Sequence, residues 1–218
     1  MDLGKSFSFV FEDEQWLKKL LIGGVVSIVP ILNLAAVGYM LRTLRNVAAG
    51  EQHPLPEWDD LGGDWVKGLV TTVAGFVYAL PILVLMVPLM VLAIVADQNG
   101  GEAGGVLAMV GMWCLVLPFS LLLSARIPAA TARYAVDGDF AAFFRFGEIW
   151  GLIRRNLGSY VIALLIYMLV APIASTVGML LFVIGVAFTS FWTMLLLAHL
   201  LGQVVLRDRG KQAPMPAL

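Results

Sequence analysis

The side chains best suited to chemistry gather in the segment His53–Asp60. Three acids and a tryptophan follow one another there: Glu57, Trp58, Asp59 and Asp60. Carboxylate oxygens that converged on one point would bind a divalent cation. In the alternative, structural interpretation, these acids and Asp64 pair with Arg42, Arg45, Arg154 or Arg155. Trp58 then anchors the loop at a membrane surface, and Asp64 caps the next helix. The structural interpretation is favoured, so no metal site is predicted.

The two histidines, His53 and His199, lie far apart in the chain, and no His-Glu-x-x-His motif occurs. His199 precedes Gln203 by four residues, which places both side chains on one face of a helix. Such a polar pair in an apolar helix usually points into a bundle and bonds across helices. An ionisable group inside a membrane can instead mark a transport path. The bonding role is expected, and transport is kept as the alternative.

Catalytic and cofactor motifs are not evident in the sequence. It contains no Gly-x-Ser-x-Gly motif, no phosphate-binding loop and no dinucleotide fingerprint. No serine or cysteine has an evident histidine partner, and Cys114 stands alone in an apolar run. We therefore expect a protein that is not an enzyme and that carries neither a cofactor nor a metal.

The composition decides which elements position these residues. Hydrophobic residues make up 60% of the 218 residues and charged residues 13%, and the mean hydropathy is +0.90. Soluble domains carry about 25% charged residues, so this chain lacks the polar cover of a soluble protein. The net charge of −1 provides no basic field for nucleic acid. An integral membrane protein with no nucleic-acid partner is predicted.

Long windows without charged residues indicate the membrane spans, because about 20 apolar residues cross a bilayer core as a helix. The four spans are predicted at 68–96, 103–125, 156–173 and 178–206. The proline, serine, threonine and glycine between the last two predict a turn over 172–178. The fold class is therefore an all-α polytopic bundle, with one domain over 1–218.

The first apolar window, 20–41, has two interpretations. The basic residues place the loops Arg42–Lys67 and Arg126–Arg155 and the C-terminus in the cytoplasm. A spanning helix would move three N-terminal lysines outside, against this bias. A re-entrant hairpin that turns at Pro30 keeps both ends cytoplasmic, and the Asn33 side chain would bond freed backbone groups. The hairpin, packed inside the bundle, is favoured, and a kinked span is the alternative.

The segment 139–153 is predicted to lie on the membrane surface as an amphipathic helix. Its apolar face is formed by Phe143, Phe146, Trp150 and Ile153, and its polar face by Arg145 and Glu148. Asp139 is the expected N-cap. Aromatic residues near the N-terminus predict a second interfacial segment. Anchoring is the expected role, and sensing of lipids or curvature is the alternative.

Several stretches resemble a known family. Phe11–Gly24, Ile28–Asn33, Gly38–Asn46 and Leu55–Asp60 resemble the N-terminal part of domain-of-unknown-function family 4013, and Ala198–Gln203 resembles its closing motif. The resemblance implies a small prokaryotic multi-pass membrane protein without an assigned activity. It supplies no catalytic residue.

Together these observations predict a non-enzymatic scaffold, assembly factor or partner-binding protein of the cytoplasmic membrane. It would contact membrane lipids and either a partner membrane protein or a second copy of itself. A small transporter or channel is the alternative, because helix breaks at Pro30, Pro81, Pro88 and Pro172 would build a site at the membrane midplane. A membrane enzyme would need the loop acids to face a lipid-accessible cleft. The candidate functional residues are Pro30, Asn33, Glu57, Trp58, Asp59, Asp60, His199 and Gln203.

Overall fold

The computed structural model describes residues 1–180 and 182–212, and their regular structure is helical throughout. The helices are α1 Leu3–Ser8, α2 Trp16–Ile28, α3 Asn33–Ala49, α4 Leu61–Asp137, α5 Phe146–Arg155, α6 Leu157–Leu180 and α7 Phe182–Gln212. A 3₁₀ turn, Phe140–Phe144, precedes α5. The predicted all-α fold class is confirmed.

Among the described residues, four helical segments are long and apolar enough to cross a membrane. They are Leu61–Ala96, Gly104–Asp137, Leu157–Leu180 and Ile184–Gln212. The first two belong to α4, which is a hairpin: a Cβ on Gly104 would lie 2.6 Å from the carbonyl oxygen of Ala96. Eight residues of straight helix span about 12 Å. The chain therefore reverses direction between Ala96 and Gly104.

Three of the four predicted proline breaks are wrong. α6 continues through Pro172 to Leu180, so the turn predicted over 172–178 does not exist there. Pro81 and Pro88 lie inside α4. A proline removes one backbone donor, and apolar membrane helices tolerate this loss when the helix continues on both sides. Pro30 alone coincides with an interruption between helices.

The window 20–41 contains parts of two helices that are separated by a tight turn. α2 ends at Ile28 and α3 begins at Asn33. Between them Ile31 has a φ of 73°, a conformation that strains a β-branched residue. The indole Nε1 of Trp65 donates a hydrogen bond to the Ile31 carbonyl over 2.9 Å. Trp65 therefore satisfies a backbone group at this turn.

Glycines on α2 let the aromatic rings of α7 approach its backbone. A Cβ on Gly23 would overlap the ring of Phe191, and one on Gly24 would overlap the ring of Phe188. As residue numbers rise along α2, the residues they meet on α7 fall. α2 therefore runs antiparallel to α7.

α3 also packs along α7, but in the direction opposite to that of α2. Tyr39 lies 5.6 Å from Phe191 between ring centroids, and Val47 packs against Gly202. α3 is thus parallel to α7 and antiparallel to α2. Trp16 and Leu20 at the start of α2 pack against a core cluster that includes Phe191 and Leu195 of α7. The end of α3 lies beside the C-terminal half of α7, where Val47 meets Gly202.

By its internal contacts the chain groups into two compact units. One comprises Met1–Thr72 with Ala129–Leu218, and the other, here called the apolar hairpin, comprises Val73–Pro128. Neither boundary falls in a loop between helices, because both lie inside α4. Most large side chains described in the apolar hairpin are exposed. The prediction of one domain over 1–218 stays a prediction.

The segment 139–153 is divided at Arg145 into the 3₁₀ turn and α5, so one continuous helix was wrong. Asp139 caps the turn as predicted, because its carboxylate accepts from the Ala141 amide. Phe143 falls in the 3₁₀ turn, so its predicted place on the common apolar face is wrong. Phe146, Trp150 and Ile153 are spaced by four and three residues within α5 and share one side of that helix, as predicted. Ile153 is buried against the protein, whereas Phe146 and Trp150 are exposed.

Candidate functional site

The loop 51–60 crosses the open end of the α2–α3 hairpin, and Trp58 holds it there. The Trp58 ring stacks on Tyr39 with centroids 4.2 Å apart. Its Nε1 donates to the Lys19 carbonyl over 3.0 Å, and the Tyr39 hydroxyl donates to the Pro56 carbonyl over 2.7 Å. Trp58 thus packs inward between α2 and α3, rather than anchoring the loop at a surface.

Lys19 forms a buried ion pair that ties the loop to α2. Its Nζ lies 2.7 Å from Asp13 Oδ2 and 2.8 Å from Glu57 Oε1, and it donates to the Leu55 carbonyl over 3.1 Å. Burial alone would lower the pKa of Lys19, but the hydrogen bonds to Asp13 and Glu57 outweigh burial and raise it. The lysine therefore stays charged at every physiological pH.

Arg42 joins the same loop to α3 and α4. Its guanidinium donates to Asp59 Oδ1 over 2.9 Å, to Asp64 Oδ2 over 2.6 Å and to the Glu57 carbonyl over 2.8 Å. Burial opposes the charge, but the bonds to Asp64 and Asp59 outweigh it and raise the pKa of Arg42. The bond from Arg42 lowers the pKa of Asp59. Of the four arginines predicted to pair with these acids, Arg42 is confirmed, whereas Arg155 pairs with Asp208 instead.

The loop acids point to separate partners and do not converge. Glu57 pairs with Lys19, Asp59 with Arg42, and Asp60 Oδ1 accepts from the Gly63 amide over 2.9 Å. Asp60 is therefore the N-cap of α4, and the prediction of Asp64 as the cap was wrong. In the described part of the chain, no group of three or more His, Cys, Asp or Glu side chains is placed to hold a metal ion.

His199 and Gln203 share one face of α7, as predicted, and hold the N-terminus. The Asp2 amide donates to Gln203 Oε1 over 2.7 Å, which fixes the orientation of the Gln203 side chain. Gln203 Nε2 then lies 3.0 Å from His199 Nδ1. Gln203 Nε2 also donates to the Asp2 carbonyl oxygen over 2.9 Å, so this amide joins the N-terminal segment to α7.

Ser6 is the partner of His199 that the sequence did not reveal. The Ser6 hydroxyl lies 2.9 Å from His199 Nδ1, and Phe9 stacks on the imidazole with centroids 4.3 Å apart. The expectation that no serine has a histidine partner is therefore wrong for Ser6. Ser6 is fully buried, so a substrate cannot reach its hydroxyl. The pair joins α1 to α7 and does not resemble an exposed nucleophile and its base.

Pro30 and Asn33 lie at the tip of the α2–α3 hairpin, where both are exposed. The bond that Asn33 was expected to make to a freed backbone group is made by Trp65. Pro30 and Asn33 therefore do not form a buried polar site, and the expected midplane site is not found at this position.

A second surface with the character of a binding site lies in the apolar hairpin. A groove of about 590 Å³ is lined by four methionines and by small residues such as Ala93 and Gly105. The methionines are Met86, Met90, Met109 and Met112. Their spacings of four and three residues put each pair on one helix face. The spacing of the methionines was visible in the sequence. That the two methionine faces lie opposite each other became evident only from the reversal of the chain between Ala96 and Gly104.

Sequence reasoning missed Lys19 and Ser6 as interacting residues. Lys19 is a charged residue at the edge of an apolar window, a position that also suits a solvated charge. Ser6 gives no signal, because its partner is 193 positions away. Long-range pairs of this kind depend on which helices become neighbours.

Comparison with known proteins adds one positive finding. The family model described as "Protein of unknown function (DUF4013)" matches residues 22–183. The quoted stretches 11–21 and 198–203 lie outside this match. No curated protein and no solved structure matches the chain. Since the match covers most of the chain, the protein belongs to the DUF4013 family.

Proposed function

We propose that this protein is a non-enzymatic protein of the cytoplasmic membrane that holds a partner membrane protein against its apolar hairpin. The supporting observation is that the apolar hairpin combines exposed large apolar side chains with a groove between its two arms. Phe76, Val84 and Leu107 are more than two-thirds exposed, and the groove between the two arms is lined by methionine. The proposed occupant of the groove is an apolar transmembrane helix of another protein.

The groove suits a helix for physical reasons. Methionine side chains are unbranched and polarisable, so they adapt to helix surfaces of different shapes. Ala93 and Gly105 allow a neighbouring backbone to approach closely, which is how membrane helices associate. Neither a charged nor a hydrogen-bonding side chain is among the residues that line the groove. A polar or ionic cargo would gain nothing there.

The proposal includes an orientation with both termini in the cytoplasm. Asp2 and Ser6 bind Gln203 and His199, so the N-terminus lies at the end of α7 where Arg207, Arg209 and Lys211 follow. The positive-inside rule favours the cytoplasm for this end, and α2 and α3 would then form a re-entrant hairpin. A thiol at Ser8→Cys in a Cys114→Ala background should resist impermeant reagents in intact cells. Labelling from outside would reject this orientation.

The transport alternative has less support. Pro81, Pro88 and Pro172 lie inside continuous helices, so the broken helices that motivated it are absent at these positions. In the apolar hairpin, Tyr78 is the one described residue with a polar side-chain group that is buried. A path for a polar substrate would need several such groups.

Photo-crosslinking tests the partner proposal. A photoreactive amino acid at Met90 or Met109 should give one defined protein adduct in native membranes, which mass spectrometry identifies. Leu121, exposed on the apolar hairpin and outside the groove lining, is the matched control. Filling the groove with Met112→Trp should abolish the adduct. Adducts with lipid alone at the groove positions, or an adduct that survives Met112→Trp, would reject the proposal.

A further inference from the structure

A small cavity in the first unit lies between α3 and the two ends of α4. Its volume is about 90 Å³. Five of the residues that line it have groups able to face an anion or leave room for one: Arg42, Arg45, Lys67, Tyr134 and Gly138. We call this the basic cavity.

Positive charge in the basic cavity exceeds the negative charge beside it. Arg42 is paired with Asp59 and Asp64. Arg45 and Lys67 make no ion pair or side-chain hydrogen bond with the described part of the chain, although Lys67 acts on Asp64 through space. Two of the three cations are therefore available to a ligand.

A polar group of one residue that lines the basic cavity is buried without a hydrogen-bond partner. The Nε–H of Arg42 has no acceptor, although the other guanidinium nitrogens are bonded. Tyr134 lines the same cavity and is 6% exposed. A buried donor without an acceptor costs about 1–3 kcal/mol. An oxyanion in the cavity would supply acceptors for such groups.

We propose that the basic cavity binds a phosphate group, carried by an anionic phospholipid or by free phosphate. Arginine and lysine from separate helices surround a phosphate well, because its oxygens accept several charge-assisted bonds at once. Basic pockets between membrane helices on the cytoplasmic side bind lipid headgroups in this way. The size of the cavity fits the phosphate and leaves any acyl chains outside. This site is separate from the groove proposed to hold a partner helix.

The test uses purified full-length protein in neutral detergent. Binding of dioleoyl phosphatidylglycerol, dioleoyl phosphatidylcholine and inorganic phosphate is measured by native mass spectrometry and by thermal shift. The variant Arg45→Gln/Lys67→Gln removes the two available cations. The matched control, Lys18→Gln/Arg209→Gln, removes two basic residues outside the cavity. Tyr134→Phe removes one hydroxyl and no charge.

The wild type should bind phosphatidylglycerol better than phosphatidylcholine. Arg45→Gln/Lys67→Gln should weaken that binding by about tenfold or more, and the control by less than about twofold. Tyr134→Phe should weaken it by severalfold. Stabilisation by inorganic phosphate that competes with the lipid would identify the phosphate alone as sufficient, whereas binding of lipid only would assign the site to a headgroup.

Three outcomes would overturn the proposal. In the first, neither phosphatidylglycerol nor phosphate binds the wild type. In the second, the control loses binding as strongly as Arg45→Gln/Lys67→Gln, which would indicate a diffuse surface charge. In the third, the cavity variant is less stable but binds the lipid normally. The cations would then serve only the negative end of the α4 dipole at Gly138.

Discussion

Helix α7 and the first arm of α4 are both apolar enough to cross a membrane, yet their surroundings differ. Half of the most apolar window of α7 is buried, whereas none of the corresponding window of Leu61–Ala96 is. The less buried helix is the more apolar one. In a bilayer, lipid covers apolar side chains as well as protein does, so hydropathy does not identify the packed helix. Close glycine contacts and buried polar groups identify it instead.

The largest expected effect comes from two glycines at the contact between α3 and α4. A Cβ on Gly38 would lie 1.9 Å from the Asp64 carbonyl oxygen, and one on Gly68 would lie 1.8 Å from that of Leu34. Gly38→Ala or Gly68→Ala should therefore force backbone shifts, at the upper end of about 1–3 kcal/mol for overpacking. The measurement is the melting temperature of the detergent-purified protein. It is the temperature at which half of the protein no longer elutes as a single species in size-exclusion chromatography.

The apolar hairpin supplies the matched controls for this prediction. Apart from the neighbouring backbone of the helix itself, no atom of the described residues lies within 4 Å of a Cβ on Gly75 or on Gly111. Gly75→Ala and Gly111→Ala should leave the midpoint unchanged or raise it slightly, because alanine favours helix. An equal loss of stability at all four positions would contradict the contrast between the two regions.

A smaller effect on stability is expected for Lys19, the buried lysine of the unit that comprises Met1–Thr72 and Ala129–Leu218. Lys19→Met should lower stability by about 2 kcal/mol, less than the 3–5 kcal/mol for a fully buried pair, because Glu57 is half exposed. The raised pKa of Lys19 means that its contribution is complete below pH 10.5 and is lost only above it. The loss in the variant should thus be constant from pH 6 to pH 9. Exposed Lys18→Met is the control and should change little.

The smallest effect is expected at Asp59, which is exposed. Its pKa lies below the ordinary value of 3.8 because Arg42 bonds to it, so its contribution is present above that pH. The contribution disappears as the pH falls through the lowered pKa. Asp59→Asn should therefore melt slightly below the wild type at pH 7, with a difference that vanishes in acid. A difference that grew toward low pH would exclude the ion pair as its source.

Much of the architecture could be predicted from the sequence. Charge-free windows gave the four apolar helices, because burying a charge in hydrocarbon is costly. The i, i+4 spacing of His199 and Gln203 gave their shared face. The pairing of Arg42 with loop acids followed from charge and proximity in sequence.

Other features could not be predicted from local patterns. Prolines 81, 88 and 172 looked like breaks, but their cost of one hydrogen bond is small beside that of unwinding a helix in an apolar medium. The roles of Asp60 and Asp64 were exchanged, since either carboxylate can cap a helix and only the position of Arg42 distinguishes them. Ser6 and Trp65 found partners through tertiary neighbours that no short spacing encodes.

The contacts of α2 with α7 also govern how the molecule is built. The Asp2 amide and the Gln203 side chain that accepts its hydrogen bond are 201 positions apart. During synthesis, the glycine face of α2 has to wait for Phe188 and Phe191, which are made long after it. A nascent chain that stops before α7 therefore leaves the glycine face of α2 uncovered and exposed to cellular quality control.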